Sequence, residues 1–90
     1  MSNQPSSADL FKAAVGERVF LWRAALKMSR WALAEKAGVS TDYICRLERG
    51  RANPRLVTLQ ALAAALDTSV HELLDVSGDD LGMAAQRRVV

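Results

Sequence analysis

Residues 29–50 read SRWALAEKAGVSTDYICRLERG. Ser29 is a good N-cap, because its side-chain oxygen can accept a backbone N–H from the first helical turn. The pattern after it predicts a short helix from Arg30 to Ala37. Gly38 then supplies the positive φ that a helix C-cap needs. Ser40 caps a second short helix, Thr41 to Arg49, and Gly50 ends it. Leu33, Ala34, Ala37, Val39, Ile44 and Leu47 should face one core. Thr41, Asp42 and Arg46 fall on the other side of the second helix. A helix held from behind by packing, with hydrogen-bonding side chains in front, meets the requirement for reading a DNA groove.

Upstream, Ser7 can cap a helix starting near Ala8, with Asp9 in its positive first turn. Residues 1–7 are then a small polar arm. Phe11, Val15, Val19, Trp22 and Leu26 recur at helical spacing and form an apolar stripe. Gly16 weakens that helix without forbidding it. Phe20 falls off the stripe, beside Gly16, Arg23 and Lys27, so it either packs under the arm or meets a partner chain. Met28-Ser29 ends the first helix. Downstream, Pro54 disfavours helix at Asn53 and makes Arg51 to Arg55 a loop. A fourth helix, Leu56 to Leu66, carries Leu59, Leu62, Ala63 and Leu66 on one face. Ser69 with Glu72 reads as a capping box for a fifth helix, with Val70, Leu73 and Leu74 inward. Ser77-Gly78-Asp79-Asp80 interrupts it. The expectation is an all-α domain over residues 8–76. A tail, 77–90, follows, in which Leu81 and Met83 are candidate dimer contacts. No internal repeat or β pattern is present.

The 90 residues fit one small domain. The net charge is +2, but residues 1–55 hold ten Lys/Arg against five Asp/Glu, and residues 56–90 hold two against five. The first part suits a polyanion and the second does not. No apolar run approaches a membrane span, and the N-terminal residues do not read as a signal peptide. Cys45 is the one cysteine, so no internal disulfide can form, which fits a reducing cytoplasm. No nucleophile-base arrangement, Gly-rich phosphate loop or Cys/His cluster is legible. His71 lies between Asp67 and Asp75 at helical spacing, and this reads as an acidic surface rather than a metal site. The expectation is neither an enzyme nor a cofactor protein.

The ordered set Gly16-Glu17-Arg18-Val19, Ser29, Leu33 to Ser40, Ile44, Arg46 to Gly50, Asn53-Pro54, Leu59, Leu62-Ala63, Leu66 and Glu72-Leu73-Leu74 resembles the phage-repressor (Cro-type, XRE) helix-turn-helix family. The resemblance spans about Gly16 to Asp75. It implies a compact five-helix, lambda-repressor-like domain that binds double-stranded DNA, usually as a homodimer on a palindromic operator. It assigns base reading to Ser40, Thr41, Asp42 and Arg46. It assigns phosphate binding to Ser29, Arg30, Arg49, Arg51, Asn53 and Arg55. It suggests a structural ion pair between Arg23 and Glu48. Two positions depart from the family: Arg30 stands where Gln is usual, and Trp31 where an acidic or polar residue is usual. An arginine can still reach a phosphate by Coulomb attraction. The indole of Trp31 either stacks on a sugar or folds back onto Phe20.

Residue chemistry refines these roles. Arg46 can donate two bonds to guanine O6 and N7, or pair with Asp42 at i, i+4, and the pair can pre-orient it. Asp42 either accepts from cytosine N4 or answers the helix dipole. Thr41 can offer its methyl to thymine or its hydroxyl to a phosphate. Cys45 reads as a small filler rather than a redox switch. The functional expectation is a sequence-specific transcriptional regulator in the cytoplasm, acting through the major groove. The alternatives are an antitoxin or restriction-modification controller that also binds a protein, and an interaction module without DNA binding that uses Phe20, Trp31 and the apolar tail. No separate ligand-sensing domain is expected.

Overall fold

The computed structural model describes residues 4–75, which form five helices and no strand. In order these are α1 (Ser7–Ala25), α2 (Arg30–Ala37), α3 (Thr41–Glu48), α4 (Leu56–Ala65) and α5 (Val70–Leu73). Leu81, Met83 and the rest of the expected tail lie outside the described residues. Local chemistry accounts for most boundaries. Ser29, Ser40 and Ser69 each accept a backbone N–H three residues on, from Ala32, Tyr43 and Glu72. Gly38 takes φ 75° and returns its N–H to the end of α2. That left-handed residue turns the chain between α2 and α3 with no Cβ penalty.

Several boundaries differ from the sequence expectation, and among them α1 ends at Ala25 rather than at Met28 and α5 at Leu73 rather than at Ser77. The α1 cap is Ser6 rather than Ser7, because Asp9 stands three residues from Ser6 and the two close a reciprocal capping box. Arg49 and Leu66 are the C-caps of α3 and α4 rather than their last helical residues. Lys27 adopts φ 56°, so the chain leaves α1 through a left-handed residue before Met28.

The core is Val19, Leu33, Ala34, Ile44, Leu47, Ala52, Leu62, Ala63, Ala65, Leu66 and Leu73, all buried. α1 packs on α3 and α5, α2 on α3 and α4, and α4 on α5. The expected stripe on α1 is buried only at its centre, at Val15 and Val19, with Trp22 packed at its edge. Phe11 is 53% exposed and Leu26 45%. The reason is length: α1 has 19 residues, about 28 Å at the helical rise. The shorter helices packed on it leave both ends overhanging. Leu59 is half-buried rather than central to the core.

Two long-range features hold α1 in place. Gly16 lies where α1 crosses the end of α3. A Cβ there would collide with the Leu47 carbonyl oxygen and stand 3.1 Å from that of Glu48. Arg18, 6% exposed, reaches to α5, donating from Nε to the Leu73 carbonyl at 3.1 Å and from Nη2 to the Glu72 carbonyl at 2.8 Å. It thereby satisfies carbonyls that a helix end leaves without intrahelical partners, and a cation there suits the helix dipole.

In a helix interior alanine is ordinarily favoured over glycine by about 0.5–1 kcal/mol. At Gly16 the added methyl meets backbone that cannot swing aside. Gly16→Ala is therefore expected to destabilise by about 1–3 kcal/mol, read as a lower urea midpoint. A midpoint at or above that of the unsubstituted chain would mean that α1 and α3 are not in this contact.

Candidate nucleic-acid interface

The fold presents α3 as the sequence pattern requires. Ile44 and Leu47 are fully buried, while Thr41, Asp42 and Arg46 are exposed. Ser40 also lies on this edge, but its Oγ accepts the Tyr43 N–H at 3.0 Å. One lone pair of its oxygen is used in capping, and its hydroxyl hydrogen and second lone pair remain for a partner. Arg46 donates from Nε to Asp42 Oδ2 at 3.3 Å, which realises the expected i, i+4 pair. Its guanidinium also lies 5.5 Å from the centroid of the Tyr43 ring. Tyr43 was not anticipated. It is half-buried, packs against the core, and forms a platform that limits where Arg46 can point. Burial raises the Tyr43 hydroxyl pKa above its usual value, opposed by the charge of Arg46, so the phenol stays neutral near pH 7. An aromatic one turn before an arginine was the available signal.

The basic segment after α3 is built by its turn. Gly50 N–H donates to the Leu47 carbonyl at 3.0 Å and Arg51 N–H to the Arg46 carbonyl at 2.8 Å. These bonds close the end of α3. Ala52 is buried in the core, which pins the middle of the loop. Arg49, Arg51, Asn53 and Arg55 are left exposed around it. Arg55 is also the N-cap residue of α4, with no side-chain capping bond. Ala52 carries no motif signal, and its anchoring role is visible only in three dimensions.

Ser29, Arg30, Arg23 and Glu48 meet where α1, α2 and α3 converge. Arg23 and Glu48 pair as expected, with Nε to Oε2 at 2.7 Å and Nη2 to Oε1 at 3.0 Å. Arg23 Nη1 also donates to the Met28 carbonyl at 2.9 Å, which ties down the connection into α2. The hydrogen bonds that Arg23 donates to Glu48 hold its guanidinium above its usual pKa. Arg30, expected to contact a phosphate, also joins this pair. Its Nε donates to Glu48 Oε1 at 3.0 Å, so the carboxylate is shared by two guanidiniums. The side chains of Glu48, Arg23 and Arg30 are 5%, 11% and 47% exposed.

Phe20 is 43% exposed. The Arg23 guanidinium lies 5.5 Å from its ring centroid. Trp31 is 63% exposed and borders a cleft lined by Ala34, Glu35, Gly38, Val39, Ser40 and Thr41. Cys45 is a half-buried free thiol on α3. No group of His, Cys, Asp and Glu among the described residues could hold a metal, which includes His71 with Asp67 and Asp75. No described helix is long and apolar enough to cross a membrane.

Two short helices joined by a tight glycine turn, the second held from behind and polar in front, define a helix-turn-helix unit. A helix-turn-helix family model matches residues 21–73, and the chain belongs to that family, of XRE type. It is 42% identical over 62 residues to the HTH-type transcriptional regulator SinR of Bacillus subtilis (strain 168), covering 68% of this chain and 56% of SinR. It is 42% identical over 60 residues to the immunity repressor protein of Bacillus phage phi105, covering 67% of this chain and 42% of that one. The chain thus spans about half the length of these curated relatives. The crystal structure of the restriction-modification controller protein C.AhdI from Aeromonas hydrophila superposes with a TM-score of 0.68 at 35% identity, covering 69% of this chain and 94% of that one.

The shared carboxylate separates two kinds of contribution. Removing it strands Arg23 without its anion in a nearly dry site, so Glu48→Ala is expected to cost about 3–5 kcal/mol of stability. Removing Arg30 leaves Glu48 still compensated by Arg23, and Arg30→Ala should cost less than about 1 kcal/mol. Guanidinium chloride unfolding of both variants measures the contrast. Equal losses would contradict the unequal burial of the two arginines.

Proposed function

We propose that this chain is a sequence-specific transcriptional regulator that binds double-stranded DNA as a homodimer, with α3 in the major groove. The observation that carries the reading is the division of α3. Its buried face fixes the helix, while Thr41, Asp42 and Arg46 project from a surface flanked by exposed arginines. Family membership supports the same reading, since the relatives above are named as a transcriptional regulator and a repressor.

In this reading Arg46 donates to guanine O6 and N7, and its contacts with Asp42 and Tyr43 reduce the freedom it loses on binding. Asp42 accepts from cytosine N4, and penalises sequences that offer no donor there. Thr41 meets a thymine methyl or a phosphate. Ser40 contributes through its hydroxyl, which keeps its hydrogen and one lone pair. Ser29, Arg30, Arg49, Arg51, Asn53 and Arg55 hold phosphates and fix the register. Two copies place their α3 helices about 34 Å apart, in successive grooves of a palindromic site. Phe20 and Trp31 remain candidate protein contacts. The working domain is residues 8–76 after the 1–7 arm, with 77–90 assigned to the dimer contact, and the setting is the cytoplasm. A restriction-modification controller is the second reading, favoured by the likeness to C.AhdI, and the neighbouring genes would test it.

Selection of bound sequences from a random DNA pool tests the function directly. A recovered palindrome with half-sites one helical turn apart is expected, and recovery of no enriched sequence would reject sequence-specific binding. Against the recovered site, Arg46→Ala should relax preference at one base position, a discrimination of about 1–3 kcal/mol. Arg51→Ala should weaken all sequences alike and lower the salt slope by about one. Identical behaviour of the two variants would reject the division into base-reading and phosphate-binding residues.

A further inference from the structure

The Arg23–Glu48–Arg30 cluster carries one charge more than it needs. Two guanidiniums share one carboxylate, and the surplus positive charge faces solvent on the arginine that is half exposed. Glu48 spends both oxygens on three N–H donors: Arg23 Nε, Arg23 Nη2 and Arg30 Nε. Arg30 is held by a single hydrogen bond, through Nε, so its terminal Nη groups are left open. A guanidinium is rigid and planar. Holding Nε against a buried carboxylate therefore restrains where the guanidinium sits and leaves its Nη groups, on a side chain 47% exposed, for another partner. Glu48 is itself held by its surroundings, because it ends α3 beside the Gly16 crossing and accepts two bonds from Arg23.

We propose that Glu48 is the positioning residue of the Arg30 phosphate contact: it holds Nε of Arg30 so that the Nη edge stands ready for a DNA phosphate. The inference rests on the DNA-binding reading above, and it deepens that reading at one contact. The phosphate does not replace Glu48 in this arrangement. The anion and the carboxylate take different nitrogens of one guanidinium, and the cluster of two arginines and one carboxylate is charge-balanced only when the anion is present. A lysine at this position keeps the charge but offers one nitrogen, with no second edge to aim.

The test uses the full chain, mixed-sequence duplex DNA and inorganic phosphate as probes. Arg30→Ala should melt close to the unsubstituted chain, bind duplex roughly tenfold more weakly, and lower the slope of log affinity against log salt by about one. Arg30→Lys should retain that slope but not the affinity. In the unsubstituted chain the NMR signal of Arg30 Nε–H should be protected from exchange. It should persist when duplex or phosphate is added, while the Nη signals shift.

Arg30→Lys binding as tightly as the unsubstituted chain would overturn the positioning role. So would loss of the Nε–H signal on adding either probe, since the anion would then be pulling Arg30 away from Glu48. Duplex binding unaffected by Arg30→Ala would reject the contact while leaving the DNA-binding reading in place. Phosphate shifting the Nη signals with no duplex bound at any salt would support the anion contact and reject DNA binding instead.

Discussion

The orientation of α3 depends on an absence. At Gly16 the backbone of α1 meets the carbonyls of Leu47 and Glu48 with no side chain between them. Packed interiors do not deform continuously, so a helix crossing this close admits few alternative positions. It sets the depth at which α3 lies against α1. That depth determines how far Thr41, Asp42 and Arg46 stand out from the rest of the surface. It also brings the last residue of α3 within reach of Arg23 on α1.

Glu48 turns this proximity into a fixed junction. A carboxylate taken out of water is costly unless its oxygens are satisfied and its charge is opposed. Here Arg23 of α1 meets both conditions and Arg30 of α2 adds a third bond, so separating α1 from α3 leaves a buried charge exposed to that cost. The bond from Arg23 to the Met28 carbonyl extends the junction to the chain entering α2. The core supplies most of the driving force for folding, and this polar junction specifies one arrangement of α1, α2 and α3. Phe20, an outlier on the helical pattern, lies against Arg23 and belongs to the same assembly.

What was legible in the sequence follows the range of the interaction. Ser29, Gly38 and Ser40 act within three or four residues of themselves, so the limits of α2 and the turn into α3 were readable directly. The same chemistry, read with the right spacing, selects Ser6 over Ser7, because Asp9 must sit three residues from its partner. The Arg23–Glu48 pair, 25 residues apart, was accessible only through family resemblance. The hold of Arg18 on α5 spans more than 50 residues, and the diversion of Arg30 toward Glu48 spans 18. No local pattern encodes either. Tyr43 escapes a two-faced pattern for another reason: it sits between inward and outward positions of α3 and serves both. The outward placement of Thr41, Asp42 and Arg46 followed from periodicity alone, whereas the base each one meets depends on a partner.

Ala52 has a consequence for how the basic segment behaves in solution. A run of seven residues from Arg49 to Arg55 would, if tethered only at its ends, sample many shapes. A buried methyl at its midpoint divides it into two short spans, each too brief to wander far. The backbone positions from which its charges project are then set, while the exposed arginine side chains move about those positions. Spacing, and not merely total charge, becomes something a polyanion can fit or fail to fit. A small apolar side chain inside the core thus gives geometric selectivity to residues it never touches.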